Sequence, residues 1–318
     1  MRSRRALGSI AAGLLLTVVA VPAGASEEML GPRALGMGGA LRAASAAEAG
    51  PYVNPAGMSL IRSYQVEALY ELRPQDSTNA VGLSITDSAT SKAGVAAGIY
   101  YDFLNADPHV RGLGFTRRGH EVGLSVSYPL ADRFILGVTN KYFYVDTTGD
   151  GISLAGARSR GWTMDVGSIL KLSDAVTFGV VGQNLMDMKS WEAPETLAFG
   201  LAVGASNVLV LDFDAVIRWL EYPGQSTKTI GGYHVGGEYF LAGSFPLRLG
   251  YSYDSPYRTL AAMTDPTYAG KGESFFHGGV GYVTPSFGLE FGIRQQLTGP
   301  SGLSRETLMA FGLKLFVQ

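Results

Sequence analysis

The sequence predicts an all-β protein, a transmembrane β-barrel of about fourteen antiparallel strands with its own N-terminal segment held inside. Three observations predict it. Hydrophobicity alternates with a period of two from Tyr64 to the C-terminus, the alternating segments run to ten or more residues, and the connections between them sort into short and long in turn. Consecutive side chains of a strand point to opposite faces, so such a chain builds one greasy surface and one polar surface. Strands of a soluble sandwich average about five or six residues, whereas roughly ten are needed to cross a hydrocarbon core at a tilt.

Composition points the same way. The 318 residues include 43 Gly, 16 Tyr and 15 Phe, only 16% are charged, and none is Cys. Soluble enzymes carry nearer a quarter charged residues. The absence of Cys excludes disulfide frameworks and thiolate metal sites. A formal charge of −2 offers no basic footprint for nucleic acid.

Residues 1–25 read as an export signal. Arg2, Arg4 and Arg5 form a basic start, Ala6 to Val21 is apolar, and Ala23-Gly24-Ala25 supplies the small residues a signal peptidase accepts. Cleavage is expected after Ala25. It removes three Arg and no acid, taking the formal charge from −2 to −5. Past Ala25 there is no run of 18 apolar residues, so no helix spans a bilayer.

Residues 26–61 do not alternate. They contain Gly36, Gly38 and Gly39, an Ala-rich stretch from Ala40 to Ala49, and Asn54-Pro55-Ala56-Gly57. Side chains this small cannot hold a core of their own. Leu35, Met37, Leu41, Tyr52, Val53 and Met58 nevertheless supply apolar surface that can dock inside something larger. The segment is therefore expected to be a hatch or plug. Its moving parts would be Gly36, Gly38, Gly39, Asn54, Pro55, Ala56 and Gly57, where Gly and Pro allow turns that other residues resist.

Residues 62–318 form the expected barrel. Strands begin near Arg62, Thr78, Ala93, Gly119, Arg133, Gly161, Ala175, Glu195, Asn207, Gly231, Phe245, Glu273, Ser286 and Glu306. In the ninth, Leu209, Leu211, Phe213, Ala215, Ile217 and Trp219 share one face while Asp212, Asp214 and Arg218 share the other. Connections after even strands are mostly tiny, as at Ala131-Asp132 and Ala242–Ser244. Those after odd strands are mostly long, as at Leu104–Arg118, Asp146–Arg160 and Ser255–Gly272. Outer-membrane barrels sort their loops this way, and a sandwich has no reason to. An even count puts both ends of the wall on the short-turn side. Polar-face parity makes Asp165, Asp212, Asp214, Arg218, Glu238, Arg248, Glu290 and Arg294 the lumen-lining charges, because a charge facing a cavity escapes the cost of lipid.

Gly31-Pro32-Arg33-Ala34-Leu35-Gly36-Met37-Gly38-Gly39-Ala40, followed by Asn54-Pro55-Ala56-Gly57-Met58, resembles the N-terminal signature of FadL-like outer-membrane proteins, closest to their PorV/PorQ branch. Later stretches are similar in order and spacing, among them Gly182-Gln183-Asn184-Leu185, Gly236-Gly237-Glu238-Tyr239 and Leu247-Arg248-Leu249-Gly250-Tyr251. The resemblance implies a fourteen-stranded barrel with an N-terminal hatch in the outer membrane. It implies passive uptake of hydrophobic small molecules, with membrane lipid and the solute as partners. Members of the PorV type imply the alternative, a structural or shuttle subunit working with secretion-system proteins.

Catalytic chemistry is not expected. The four His, at 109, 120, 234 and 277, show no paired metal spacing, and neither a Gly-x-Ser-x-Gly elbow nor an H-E-x-x-H motif occurs. No catalytic residue, cofactor or metal is assigned.

Overall fold

The computed structural model describes residues 29–107, 109–110, 113–149, 158–205, 208–221, 226–255, 272–298 and 305–317. The expected export signal and its cleavage point lie outside the described residues. Fourteen long strands make the wall: β1 Tyr64–Arg73, β2 Thr78–Asp87, β3 Ala96–Ala106, β4 Leu113–Ala131, β5 Phe134–Gly149, β6 Arg158–Lys171 and β7 Val176–Gln183. They continue as β8 Glu195–Ala205, β9 Leu209–Leu220, β10 Lys228–Leu241, β11 Phe245–Asp254, β12 Glu273–Val283, β13 Phe287–Thr298 and β14 Thr307–Val317. A two-residue strand, His109–Val110, pairs with the start of β4 at the rim.

Each strand runs antiparallel to its neighbours in sequence, and β1 pairs with β14 from Tyr64↔Val317 to Leu72↔Met309, so the sheet closes on itself. Closure leaves the wall no edge, which is what lets a sheet sit in hydrocarbon. The expected loops Leu104–Arg118 and Asp146–Arg160 are shorter than the sequence suggests. Pairing between β4 and β5 continues out to Phe115↔Gly149, because a hairpin that leaves the membrane band can keep its ladder without an apolar face to announce it.

Alternation sorts the two faces. Leu124, Phe213, Leu249, Leu289 and Leu315 stand exposed on the outside, together with Trp162, Tyr239, Tyr251, Tyr253 and Tyr282. Buried positions on the opposite parity are occupied by Glu67, Ser84, Asp165, Asp212, Glu238, Arg248 and Lys314. An apolar surface running right round a barrel is what lipid contact requires, and far exceeds the apolar patch of a soluble monomer.

Residues 29–61 fill the lower lumen. Helix α1, Gly31–Gly36, starts with Pro32 in its first turn and stops at a glycine-capped end, where Gly38 N–H donates to the Leu35 carbonyl and Gly39 N–H to the Ala34 carbonyl. Gly38 has φ +70°, the left-handed geometry this cap demands and side chains resist. Helix α2, Gly50–Val53, follows a single 3-10 turn and leads into another at Pro55–Leu60.

Four cross-strand glycine pairs of the wall receive this segment. Gly279↔Gly292 faces Gly36 and Pro32, Gly236↔Gly250 faces Met37 and Gly38, Gly179↔Gly200 faces Arg42 and Ala43, and Gly137↔Gly167 faces Asn54 and Pro55. A Cβ on Gly236 would stand 2.2 Å from the Met37 carbonyl oxygen, and one on Gly250 would stand 2.4 Å from Gly38 N. Segment backbone meets at least one glycine of every pair, and at Gly167 the Asn54 side chain takes the place a Cβ would fill.

Leu249→Arg, on the lipid face at the middle of β11, is expected to cost about 2–4 kcal/mol of folding free energy. Denaturant unfolding of the protein folded into liposomes would measure it, and a cost near zero would remove this face from the hydrocarbon.

Candidate functional site

Charges join the inner segment to the wall through one continuous network. Arg33 on α1 donates to Glu238 of β10, with its closest approach 3.0 Å. Glu238 also accepts from Arg248 of β11 at 2.6 Å, and Arg248 reaches Glu290 of β13 at 2.6 Å. Glu290 then accepts from Lys314 of β14, which also donates to Glu48 of the inner segment at 2.7 Å and lies 3.8 Å from Glu67 of β1. Gln65 donates a further bond to Glu48. Removing such charges from water is expensive, and an alternating chain of opposite signs offsets the cost only while every member stays paired.

A second contact lies on the adjoining strand. Asp214 of β9 accepts the backbone N–H groups of Leu41 and Arg42, at 3.0 and 3.2 Å, and the Arg42 guanidinium at 3.1 Å. Its neighbour Asp212, fully buried, has neither carboxylate oxygen hydrogen-bonded among the described residues. Asp165 of β6 pairs with Lys141 at 3.0 Å and accepts from Asn184 N. Arg218 pairs with Asp254 at 2.8 Å, and Arg294 pairs with Glu306 while stacking over Phe275. All eight expected lumen charges thus point inward.

Two histidines also bind the segment's backbone. His234 Nδ1 lies 2.8 Å from the Gly38 carbonyl and His277 Nδ1 lies 2.8 Å from the Leu35 carbonyl. A carbonyl only accepts, so each ring nitrogen is the donor. His277 Nε2 is left to pair with the Ser252 hydroxyl at 2.9 Å. Asn54 caps the turn that follows it by accepting from Ala56 N–H, and its amide donates to the Arg42 carbonyl at 2.7 Å and the Ser168 carbonyl at 3.3 Å. Gly36, Gly38, Pro55 and Ala56 lie directly on the wall glycines, Gly39 abuts His234, and Gly57 abuts Ser45 within the segment.

Above this floor, in the half of the barrel nearer the long loops, is a partly open chamber of about 140 Å³. Met29, Leu30, Arg42, Tyr52 and Val53 form its base, while Tyr100, Leu104, Phe143 and Val145 give it an apolar side. His234, Asp254, Arg218, Phe275 and Arg294 stand round the rest. The connection after β7 turns inward beside it, with Trp191 buried, Glu192 bound to Arg117 at 2.6 Å, and Ala193 packed on Phe143 and Val145. Among the described residues no three His, Asp or Glu side chains are grouped to hold a metal.

Sequence reading missed Arg33, Arg42 and Glu48 as anchors, and Tyr100, Asp102, Glu121 and Lys141 as chamber residues. A signal was present for the first three, since they are the only charged residues between Pro32 and Ile61. Parity alone could have put Tyr100, Asp102 and Leu104 on one face of β3.

The fold has known counterparts. It is similar to the CymD monoaromatic hydrocarbon channel, with a TM-score of 0.70 and 13% identity over 91% of this chain and 98% of that one. It is similar to the toluene transporter TbuX of Ralstonia pickettii, with a TM-score of 0.70 and 12% identity over 92% and 99%. A FadL homologue of Pseudomonas aeruginosa matches at 0.62 with 13% identity over 94% and 99%. Likeness at these identities establishes the barrel fold. No protein-family model matches the chain and no curated protein matches its sequence.

Two outcomes are expected. Gly250→Leu should leave the barrel folded, read as heat-modifiable gel mobility, but expel Met37–Gly38 so that trypsin cuts after Arg33 and Arg42 in the intact barrel. Lys314→Met strands Glu48, Glu67 and Glu290 without their shared cation. It is expected to cost about 3–5 kcal/mol in guanidinium unfolding of the detergent-held protein.

Proposed function

We propose that this chain is an outer-membrane channel for the passive passage of hydrophobic small molecules, with residues 26–61 as its hatch. The observation that carries the proposal is the chamber: a partly apolar space inside a lipid-facing barrel, lying toward the long-loop end and floored by a segment outside the wall's own ladder. Moving a neutral apolar molecule needs neither a catalytic group nor an energy source. It needs a wall, an apolar resting place and an obstruction that can shift.

The floor is suited to shift. Its backbone touches the wall glycines without covalent or ladder bonds to them, and its anchors are ion pairs and hydrogen bonds that water can replace as they part. Gly36, Gly38, Gly39 and the Asn54–Gly57 turn lie where a change of backbone angle would move the base of the chamber. The inward charges would line the path below. Fold likeness to channels described as carrying monoaromatic hydrocarbons and toluene supports the substrate class. The basic, apolar and small-residue succession of residues 1–25 supports export with removal of that signal. Neither the PorV/PorQ placement nor the secretion-subunit alternative draws support from these likenesses.

Uptake of labelled toluene and of a labelled long-chain fatty acid, in cells lacking their own channels, tests the proposal. Cells making the protein should take up at least one of them several-fold faster than cells with an empty vector, and deleting residues 26–57 should change that rate. Uptake equal to the empty-vector control for both would refute the channel. Unchanged uptake after the deletion would refute the hatch.

A further inference from the structure

Resting on the channel reading, the geometry points to a chamber that selects hydrophobic amines, with a protonated amino group received between Tyr52, Tyr100, Asp102 and Glu121. The charges that line the chamber are not evenly matched. Its cations are Arg42, Arg73, Lys141, Arg218 and Arg294. Each is already committed to an acid: Arg42 to Asp214 at 3.1 Å, Lys141 to Asp165 at 3.0 Å, Arg218 to Asp254 at 2.8 Å, and both Arg73 and Arg294 to Glu306.

Asp102 and Glu121 are different. Both line the chamber, and among the described residues neither forms an ion pair. Each is met by a phenol instead: the Tyr52 hydroxyl donates to Asp102 at 3.3 Å and the Tyr100 hydroxyl to Glu121 at 2.5 Å. The charged groups acting on Asp102 are acids too, Glu121, Glu71 and Glu67. Asp102 is only 6% exposed. An acid so far from water, with other acids around it, is costly to ionise until a cation arrives beside it.

The two tyrosines complete a cation site. Their ring centroids are 4.5 Å apart at 43°. Tyr100 lies across Gly123 of the neighbouring strand, whose missing Cβ would stand 2.0 Å from the ring. Aromatic faces attract an ammonium through their quadrupole, and more strongly when the cation is out of water. Leu104, Phe143, Val145, Met29 and Leu30 border the same space and offer an apolar bed for the rest of the molecule. A carboxylate of matching shape would face like charges here, and every cation lining the chamber is engaged elsewhere. Tyr52 belongs to the inner segment and the other three groups to β3 and β4, so a bound amine would bridge hatch and wall.

Equilibrium dialysis of the purified full mature chain in a non-ionic detergent separates the possibilities. The probes are 2-phenylethylammonium, neutral 2-phenylethanol and 3-phenylpropanoate. The wild type is expected to hold the ammonium roughly tenfold tighter than the carboxylate, a ratio within reach of cation–π and charge contacts. Asp102→Asn with Glu121→Gln should bring the two within about twofold of each other, in a barrel whose heat-modifiable gel mobility matches the wild type. Equal binding of ammonium and carboxylate by the wild type, or a preference that survives the double substitution, overturns the inference. Toluene uptake that persists alongside either result leaves the channel standing and this selectivity refuted; loss of all uptake with the ammonium preference intact does the reverse.

Discussion

Every backbone N–H and C=O of this wall needs a partner that lipid cannot supply, and the pairing of β1 with β14 is the constraint on which the rest depends. Once the sheet is closed, one parity of each strand is committed to hydrocarbon and the other to an interior. The interior is too wide for wall side chains to fill alone, and, screened from lipid, it can carry charge. It accepts a second layer of chain. The inner segment is that layer, and its small side chains follow from the space left to it.

Two kinds of contact hold the layer in place, and they act differently. The glycine pairs contribute closeness: where Gly236 faces Gly250, wall backbone and segment backbone touch, so polar groups on either side come within bonding reach. The charges contribute direction. Arg33 finds Glu238, Arg42 finds Asp214, and Glu48 finds Lys314, at three separate points round the wall. Neither kind extends the wall's ladder. A segment held this way can be tightly packed and still separable, as the proposed hatch requires.

The same division explains the chamber. Below it, cations and acids alternate and neutralise one another. Beside it, at Asp102 and Glu121, the alternation stops and phenols stand where cations would be expected. A buried acid without its counter-charge is costly to any fold. That cost becomes useful when the missing charge arrives on a ligand, since the site then discriminates by sign as well as by apolar area.

Much of the barrel was legible in the sequence because its period is local: a residue's face is set by its parity, and the turn lengths show which end it approaches. The expected strand starts, the inward direction of Asp212, Glu238 and Arg248, and the anomalous nature of residues 26–61 all follow from neighbours a few positions apart. Partners were not legible. Arg33 and Glu238 are 205 positions apart, and Lys314 and Glu48 are 266 apart, so nothing in their local context records the match. Which inward glycines meet backbone, and which inward acids lack a cation, likewise depend on where the inner chain lies. The sequence by itself determined the wall, its two faces and the segment that could not belong to it. Closure and the packing of that segment decided the contacts, because pairing across a lumen is fixed by three-dimensional proximity and leaves no periodic trace along the chain.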